Sequence, residues 1–197
     1  MIITIGREHG SGGHEIARAL AQELGYACYD KEIVDHAAEN SHFSREVMDS
    51  FDEKRVSPYV VPVPNFVGMG ESFRLNMRVA AAQFEAIRSL AEQGNGIFVG
   101  RCADYVLRNR DDLLRVFIQA SEDSRIREMM KRRDLSEDQA RKLIRQVDKE
   151  RSSYYRYYTD QNWGDRQYYD LCINTDKVGV RGAVQIIKAC LESVEAK

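Results

Sequence analysis

Four glycines within eight positions mark the segment of this chain with the clearest chemistry. A short apolar run at residues 2–5 leads into residues 6–17, where a helical pattern begins. Glycines let a backbone curl around an anion, and the N-terminus of the next helix presents free N–H groups and the positive end of its dipole. The segment therefore predicts a phosphate-binding loop, although a simple strand-to-helix turn is the alternative. The predicted phosphate-binding residues are Gly10, Ser11, Gly12, Gly13, His14 and Glu15.

The same loop lacks the residues that usually complete such a site. The common pattern ends in Gly-Lys-Ser/Thr, whereas here Gly13, His14 and Glu15 follow Gly12. A dinucleotide-binding fingerprint is disfavoured, because it would require glycine where Glu15 stands. We therefore expect phosphate binding with a different set of charged groups.

Asp30 directly follows a second strand-like run, at residues 26–29. An acid at a strand end can hold Mg²⁺ through water or orient a substrate hydroxyl. Asp30 can equally serve as the cap of the next helix, with Glu32 in its first turn. The residue types alone leave both interpretations open.

Arg101 follows Gly100 at the end of a third strand-like run. An arginine just beyond a buried strand is suited to a bidentate phosphate contact. The alternative is a surface ion pair with Asp104 or Asp111. We favour the anion-binding role.

Basic residues are concentrated in two predicted helices between residues 122 and 158. On the second helix, Arg145 and Asp148 share a face, and Arg151 lies three residues beyond Asp148. Phosphoryl transfer needs cations around the transferring group, because catalysis is mostly positioning and charge stabilisation. The interspersed acids are also compatible with a solvated helix pair, but the cluster as a whole favours a lid over phosphates.

Strand and helix signals alternate along the chain, which predicts a parallel sheet covered on both faces. In such sheets the ligand lies at the carboxyl ends of the strands. Three prolines, with Gly68 and Gly70, predict a loop at residues 55–70, and a long helix with a buried face follows. The predicted strands are residues 2–5, 26–29, 96–99, 113–120 and 171–174, and the predicted face of the long helix is Phe73, Met77, Ala80, Phe84, Ile87 and Ala91.

Composition excludes several function classes. The chain has 197 residues and a net charge of −2, which argues against a general nucleic-acid surface. No apolar stretch approaches the ~18 residues that a membrane span needs, and no signal peptide is evident. The four cysteines are widely separated, so neither a zinc site nor a disulfide framework is expected. We expect a cytoplasmic location.

The order of these parts resembles the P-loop nucleoside monophosphate kinases, and specifically the cytidylate kinase-like family, a divergent branch of bacterial cytidylate kinases. The resemblance spans nearly the whole chain. It rests on residues 6–17, 29–32, 100–104, 148–151 and 174–176.

The resemblance implies transfer of the γ-phosphoryl group of ATP, with Mg²⁺, to a nucleoside monophosphate such as CMP or dCMP. The glycine loop would hold the donor phosphates, Asp30 would lie at the monophosphate site, and Arg101 would grip the acceptor phosphate. Arg145, Asp148 and Arg151 would belong to a lid at residues 121–160. Residues 40–95 would form the acceptor-binding insertion and the long helix.

Three positions depart from the family pattern. Gly13 takes the place of the loop lysine, Glu15 that of the threonine that holds magnesium, and His36 that of an acceptor-site arginine. A carboxylate near phosphates is repulsive unless a metal intervenes, so Glu15 joins Asp30 as a candidate magnesium ligand. We expect Arg7 or the lid arginines to supply the missing cation.

We therefore predict an α/β P-loop NTPase-type three-layer fold, with a five-stranded parallel sheet flanked by helices and a helical lid, in one domain at residues 1–197. The expected activity is ATP-dependent phosphoryl transfer to a nucleoside monophosphate. A non-catalytic nucleotide sensor and a kinase of another small acceptor are the alternatives. The expected partners are small-molecule nucleotides, and neither nucleic acid nor a membrane is expected. The expected oligomeric state is a monomer or a homodimer.

Overall fold

The computed structural model describes residues 1–54 and 67–195, with side chains for residues 1–54 and 74–194. Five parallel strands form one sheet in the order β2-β3-β1-β4-β5. This confirms the predicted fold class, and each strand begins and ends within two residues of its predicted bounds. The strands are β1 Ile2–Arg7, β2 Ala27–Tyr29, β3 Gly96–Val99, β4 Leu113–Gln119 and β5 Leu171–Asn174.

Helices cover both faces of the sheet, and residues typical of helix ends cap two of them. Gly25 ends the first helix in the left-handed conformation, with φ 69°. Ser44 caps the third helix through Val47 N. The helices are α1 Gly13–Leu24, α2 Lys31–Glu39, α3 Arg45–Phe51, α4 Val67–Ala91, α5 Ala103–Val106, α6 Glu122–Arg133, α7 Glu137–Thr159 and α8 Thr175–Glu195.

Two hydrophobic cores lie on opposite faces of the sheet because successive strand side chains point to opposite sides. Ile3 and Ile5 face the core that α1 and α8 cover, and Ile2 faces the core that α2, α3 and α4 cover. This packing leaves the carboxyl ends of the strands accessible between the two helical layers. No helix in the described part of the chain has the length and apolar character needed to cross a membrane.

The structure corrects the predicted loop and long helix in two respects. Helix α4 begins at Val67, so residues 67–70, which were predicted to be loop, are helical; residues 55–66 lie outside the described part. Two glycines in the first turn cost about 1 kcal/mol each relative to alanine, and burial of the helix face offsets that cost. Met77 was predicted to be buried but is 43% exposed, whereas Ala80, Ile87 and Ala91 are buried as predicted.

Helices α6 and α7 form a hairpin with a small core of its own. Ser136 and Gln139 make a reciprocal capping box at the start of α7. Ile126, Met129 and Ile144 are buried between the two helices. The hairpin, which corresponds to the predicted lid, is therefore a rigid pair that can hold charged groups against the glycine loop.

Candidate active site

A cleft of about 510 Å³ opens at the carboxyl end of the sheet, between the glycine loop and α6. The position agrees with the expectation for an open parallel sheet. Basic side chains outnumber acidic ones in its lining, which favours an anionic ligand. The lining residues are Arg7, Glu8, His9, Gly10, Gly12, Gly13, His14, Glu15, Asp30, Lys31, Met129, Arg132, Arg133 and Arg151.

The glycine loop presents backbone N–H groups to this cleft. Gly10 and Gly12 adopt positive φ angles of 83° and 85°, which glycine reaches without the strain of a side chain. The first intrahelical hydrogen bond of α1 runs from Ile16 N to Gly12 O. The preceding N–H groups of the first turn therefore remain available to an anion, as at other helix N-termini.

Gly13 is explained by its close approach to Arg7. A Cβ at Gly13 would lie 2.5 Å from Arg7 Cβ and 3.0 Å from Arg7 Cγ. The stem of Arg7 therefore fills the space that a loop lysine at position 13 would enter. The position of Arg7 therefore accounts for the absence of a lysine at position 13.

Asp148 contacts the loop backbone and fixes its position. His9 N donates to Asp148 Oδ1 at 2.8 Å, and Asp148 Oδ2 pairs with Arg125. Arg125 also lies 3.5 Å from Glu8 Oε2, whose carboxylate accepts from Ala120 N. Burial, together with nearby arginines, lowers the pKa of His9 to about 4. The hairpin thus clamps a loop that carries a neutral histidine.

The Asp30 side chain turns towards the cleft and does not cap α2. No capping hydrogen bond from it occurs within the described residues, and Asp30 N instead donates to Glu32 Oε2. Asp30 Oδ1 pairs with Arg101 at 2.8 Å, and Asp30 Oδ2 with His14 Nδ1 at 2.9 Å. Burial acts to raise the pKa of Asp30, but the Arg101 guanidinium outweighs it and holds that pKa below its usual range.

Arg101 is 3% exposed and pairs with Asp30 and Asp52, so the predicted alternative of a surface ion pair with Asp104 or Asp111 is wrong. Its Nε and Nη2 bind the two oxygens of Asp52 at 2.8 and 2.6 Å. Its Nη1 binds Asp30 and Val99 O. The guanidinium is held in one orientation beside Gly100, which has φ 74°.

Glu53 joins Arg7 and Arg151 at the edge of the cleft. Arg7 binds both of its oxygens, at 2.7 and 3.0 Å, and Arg151 Nε approaches at 3.2 Å. Arg151 also donates to Arg7 O. Two of the residues predicted to be catalytic, Arg7 and Arg151, therefore lie together.

Five predicted site residues do not line the cleft: Ser11, Arg101, Asp148, Arg145 and His36. The first three hydrogen-bond to residues of the lining, whereas Arg145 and His36 lie elsewhere. Arg145 is 66% exposed and pairs with Glu122 at 3.1 Å. Its position on α7 directs it to solvent, although it shares a sequence pattern with Asp148. His36 lies 3.3 Å from Ser89 Oγ, between α2 and α4. The structure does not bring either residue to the phosphate-binding loop.

Several cleft residues had no individual signal in the sequence. Arg132 and Arg133 belong to the basic run in α6, but that run alone does not identify which of its members face inward. Lys31 follows Asp30 and lines the cleft, but its position in the sequence does not indicate that role. Asp52 and Glu53 belong to no motif, and only the tertiary contacts reveal them.

The carboxylates suit magnesium only together with phosphate oxygens. Within the described residues, no group of three or more His, Cys, Asp or Glu is arranged to hold a metal ion. Glu15 and Asp30 both line the cleft, and Mg²⁺ is commonly held by one or two carboxylates plus substrate phosphates. Glu15 pairs with Arg132. The donor set therefore fits a nucleotide-borne Mg²⁺ and not an independent metal centre.

Solved structures share this fold. A protein from Eubacterium ventriosum ATCC 27560, described as uncharacterized, superposes with a TM-score of 0.76 at 29% identity, covering 98% of this chain and 99% of that one. Shikimate kinase from Bacteroides thetaiotaomicron gives a TM-score of 0.56 at 16% identity, covering 98% of each chain. A gluconokinase from Sinorhizobium meliloti 1021 gives 0.57 at 13% identity, covering 98% of this chain and 94% of that one. The two kinases are each under 20% identical to this chain, and the superpositions show that they share its fold.

Sequence relatives agree with the resemblance noted above. Cytidylate kinase from Methanothrix thermoacetophila is 26% identical over 99% of this chain and 100% of its own length. Cytidylate kinase from Pyrococcus horikoshii is 24% identical over 99% of this chain and 90% of its own length. The sequence pattern of the cytidylate kinase-like family matches residues 2–177. The chain therefore belongs to the cytidylate kinase-like family.

Proposed function

We propose that this protein transfers the γ-phosphoryl group of ATP to a nucleoside monophosphate, with CMP or dCMP as the first candidates. Family membership and the P-loop kinase fold support nucleotide kinase activity. The cytidylate kinases that align with the chain over nearly its full length favour a cytidine nucleotide as acceptor.

One observation carries the proposal: a helix N-terminus and several cations line a single cleft. Arg7, Arg132, Arg133 and Arg151 line the cleft with the glycine loop, and Arg101 pairs with Asp30 of the same lining. Transfer of a phosphoryl group spreads charge over its oxygens, so converging cations stabilise the transition state. No covalent intermediate with the protein is needed.

The roles follow from position. The loop N–H groups would hold the donor phosphates, and Arg7 would supply the charge of the absent lysine. Arg101, oriented by Asp30, would hold the acceptor phosphate. Glu15 and Asp30 are the residues that would hold Mg²⁺, which neutralises phosphate charge when bound. The protein then positions an acceptor oxygen in line with the γ-phosphorus.

A non-catalytic nucleotide sensor is the second candidate, and Gly13 is the observation that favours it. Loss of one well-placed transition-state donor costs about 10²–10³ in rate elsewhere. If Arg7 does not compensate, nucleotide binding survives while turnover does not.

A turnover assay separates these functions. ADP release is measured with Mg-ATP and each of CMP, dCMP and UMP, beside calorimetric titration of ATP. Release with a cytidine nucleotide above the rate without acceptor supports the kinase. Binding of ATP without release on any monophosphate favours the sensor.

Arg101→Lys sharpens the assay because lysine keeps the charge but loses the bidentate fork. We expect a higher KM for the monophosphate with a smaller change in kcat. Arg115→Lys is the matched control, since Arg115 makes a similar bidentate pair with Asp170, at 2.7 and 3.0 Å, away from the cleft. An equal effect of both variants on KM would remove Arg101 from acceptor binding.

A further inference from the structure

Six charged side chains form a balanced cluster between β3 and the glycine loop. Three are arginines and three are carboxylates, and two of the carboxylates are adjacent in sequence at the end of α3. The arginines are those expected to bind phosphate. The cluster consists of Arg7, Arg101, Arg151, Asp30, Asp52 and Glu53.

Glu53 receives four N–H donors from three residues that are far apart in sequence. Arg7 contributes Nη1 and Nη2, Arg151 contributes Nε, and the backbone N of Arg101 lies 2.9 Å from Oε1. Burial acts to raise the pKa of Glu53, but Arg7 and then Arg151 outweigh it, so this pKa is held far below its usual range and the group stays ionised. Guanidinium groups and a backbone N–H are the donors that recognise phosphate oxygens.

Asp52 occupies the fork of Arg101 in the same manner. Its Oδ1 and Oδ2 accept from Nε and Nη2 of Arg101 at 2.8 and 2.6 Å. This bidentate geometry is the one that a phosphate group would use. The Arg101 fork therefore cannot bind an acceptor phosphate in this way while Asp52 holds it.

The two carboxylates are attached to the fold in a way that permits exchange. Asp52 is the C-terminal cap residue of α3, which has seven residues. Glu53 has a φ of 49°, a left-handed conformation that a residue other than glycine adopts only at a cost. The contacts of Glu53 with the arginines offset the cost of this conformation. If another anion bound the arginines, these contacts would no longer hold Glu53 in it.

Charge balance indicates which ligand can make the exchange. Two carboxylates carry two negative charges, as does the phosphate of a nucleoside monophosphate near neutral pH. A dianion can therefore replace both while the net charge of the cluster stays the same. A neutral ligand would leave buried guanidinium groups without partners, which is costly.

We propose that Asp52 and Glu53 are internal ligands of Arg7, Arg101 and Arg151, and that the dianionic phosphate of the acceptor takes their place when it binds. The exchange selects a phosphate-bearing acceptor over a neutral one. The exchange rests on the proposed function in one respect, namely that the phosphate of the acceptor is the anion that displaces the carboxylates.

The test uses two conservative variants of the full chain, Glu53→Gln and Asp52→Asn. Each keeps the side-chain shape and removes one competing charge. Orthophosphate and CMP are titrated calorimetrically without ATP. We expect orthophosphate to bind about tenfold more tightly to each variant, the ratio that corresponds to one lost charge-assisted hydrogen bond. We also expect a lower thermal midpoint for each variant without ligand.

Asp170→Asn is the matched control, because it breaks the bidentate pair with Arg115 away from the cluster. It should lower the thermal midpoint and leave orthophosphate affinity unchanged. Unchanged or weaker orthophosphate binding by both cluster variants would overturn the proposal, since Asp52 and Glu53 would then organise the arginines and not compete for them. Tighter orthophosphate binding without turnover of any monophosphate supports the exchange, and it counts against the kinase function alone.

Discussion

Replacement of Gly13 by alanine tests whether Arg7 occupies the space of the loop lysine. Gly13 is the first residue of α1, and its φ is not in the left-handed region. The backbone therefore accepts alanine without strain. The only obstacle is the stem of Arg7, because the new Cβ would lie 2.5 Å from Arg7 Cβ and 3.0 Å from Arg7 Cγ.

The magnitude follows from this overlap. Two carbon atoms prefer a separation of about 3.5–4.0 Å, and Arg7 Cβ is attached directly to a paired strand and cannot swing away. Overpacking of this kind costs about 1–3 kcal/mol. In a chain of this size, each kcal/mol lowers the thermal midpoint by about 2–4 °C, so Gly13→Ala should lower it by about 2–12 °C.

The sign should reverse when Arg7 is replaced by glycine. Without the Arg7 stem, alanine at position 13 meets no obstacle and restricts the unfolded chain, which stabilises by about 0.4–1 kcal/mol. The assay is a double-mutant cycle of thermal midpoints for wild type, Gly13→Ala, Arg7→Gly and the double variant. The cycle removes the separate cost of losing the Arg7 pair with Glu53.

Gly12→Ala is the control for this cycle. Gly12 has φ 85°, so alanine is strained there whether or not Arg7 is present, and its cost should be the same in both backgrounds. A destabilisation by Gly13→Ala that persists unchanged in the Arg7→Gly background would refute the steric exclusion. The link between Arg7 and the missing lysine would then have no structural basis.

Three further predictions concern the site. Arg7→Ala should lower the rate of ADP release about 10²–10³-fold. Arg145→Ala, which changes a side chain that is 66% exposed, should alter that rate little. Equal losses in the two variants would contradict the role of Arg7 as the cation that replaces the loop lysine. Burial, and to a smaller extent nearby arginines, lower the pKa of His9 from 6.5 to about 4. Between these two pH values the unfolded chain binds a proton that the folded chain does not. Wild type should therefore lose stability relative to His9→Gln as the pH falls from 6.5 to 4. A constant difference between their thermal midpoints across that range would show that His9 is not held neutral. Glu15→Gln should raise the Mg²⁺ concentration needed for half-maximal turnover, whereas Glu128→Gln, on the second carboxylate that pairs with Arg132, should not; no change in the first variant would remove Glu15 as a magnesium ligand.

Local patterns are sufficient to predict the strands and the position of the glycine loop. Apolar periodicity, glycine stops and capping residues act over a few neighbouring residues, so the sequence expresses them directly. Helix α4 starts earlier than the sequence predicts, because Gly68 and Gly70 in its first turn are residues typical of loops. Favourable packing of a helix can outweigh such a local preference.

The alternation of strands and helices alone predicts that the glycine loop, Asp30 and Arg101 lie at the carboxyl ends of parallel strands, because those ends share one edge of the sheet. The order of the strands and the charges that meet at this edge follow only from the fold. Arg101 pairs with Asp52, 49 residues away, Glu53 gathers Arg7 and Arg151, and Arg145 faces solvent. Such pairings depend on how α3 and α7 pack against the sheet, and the spacing of residues along one helix does not encode that packing.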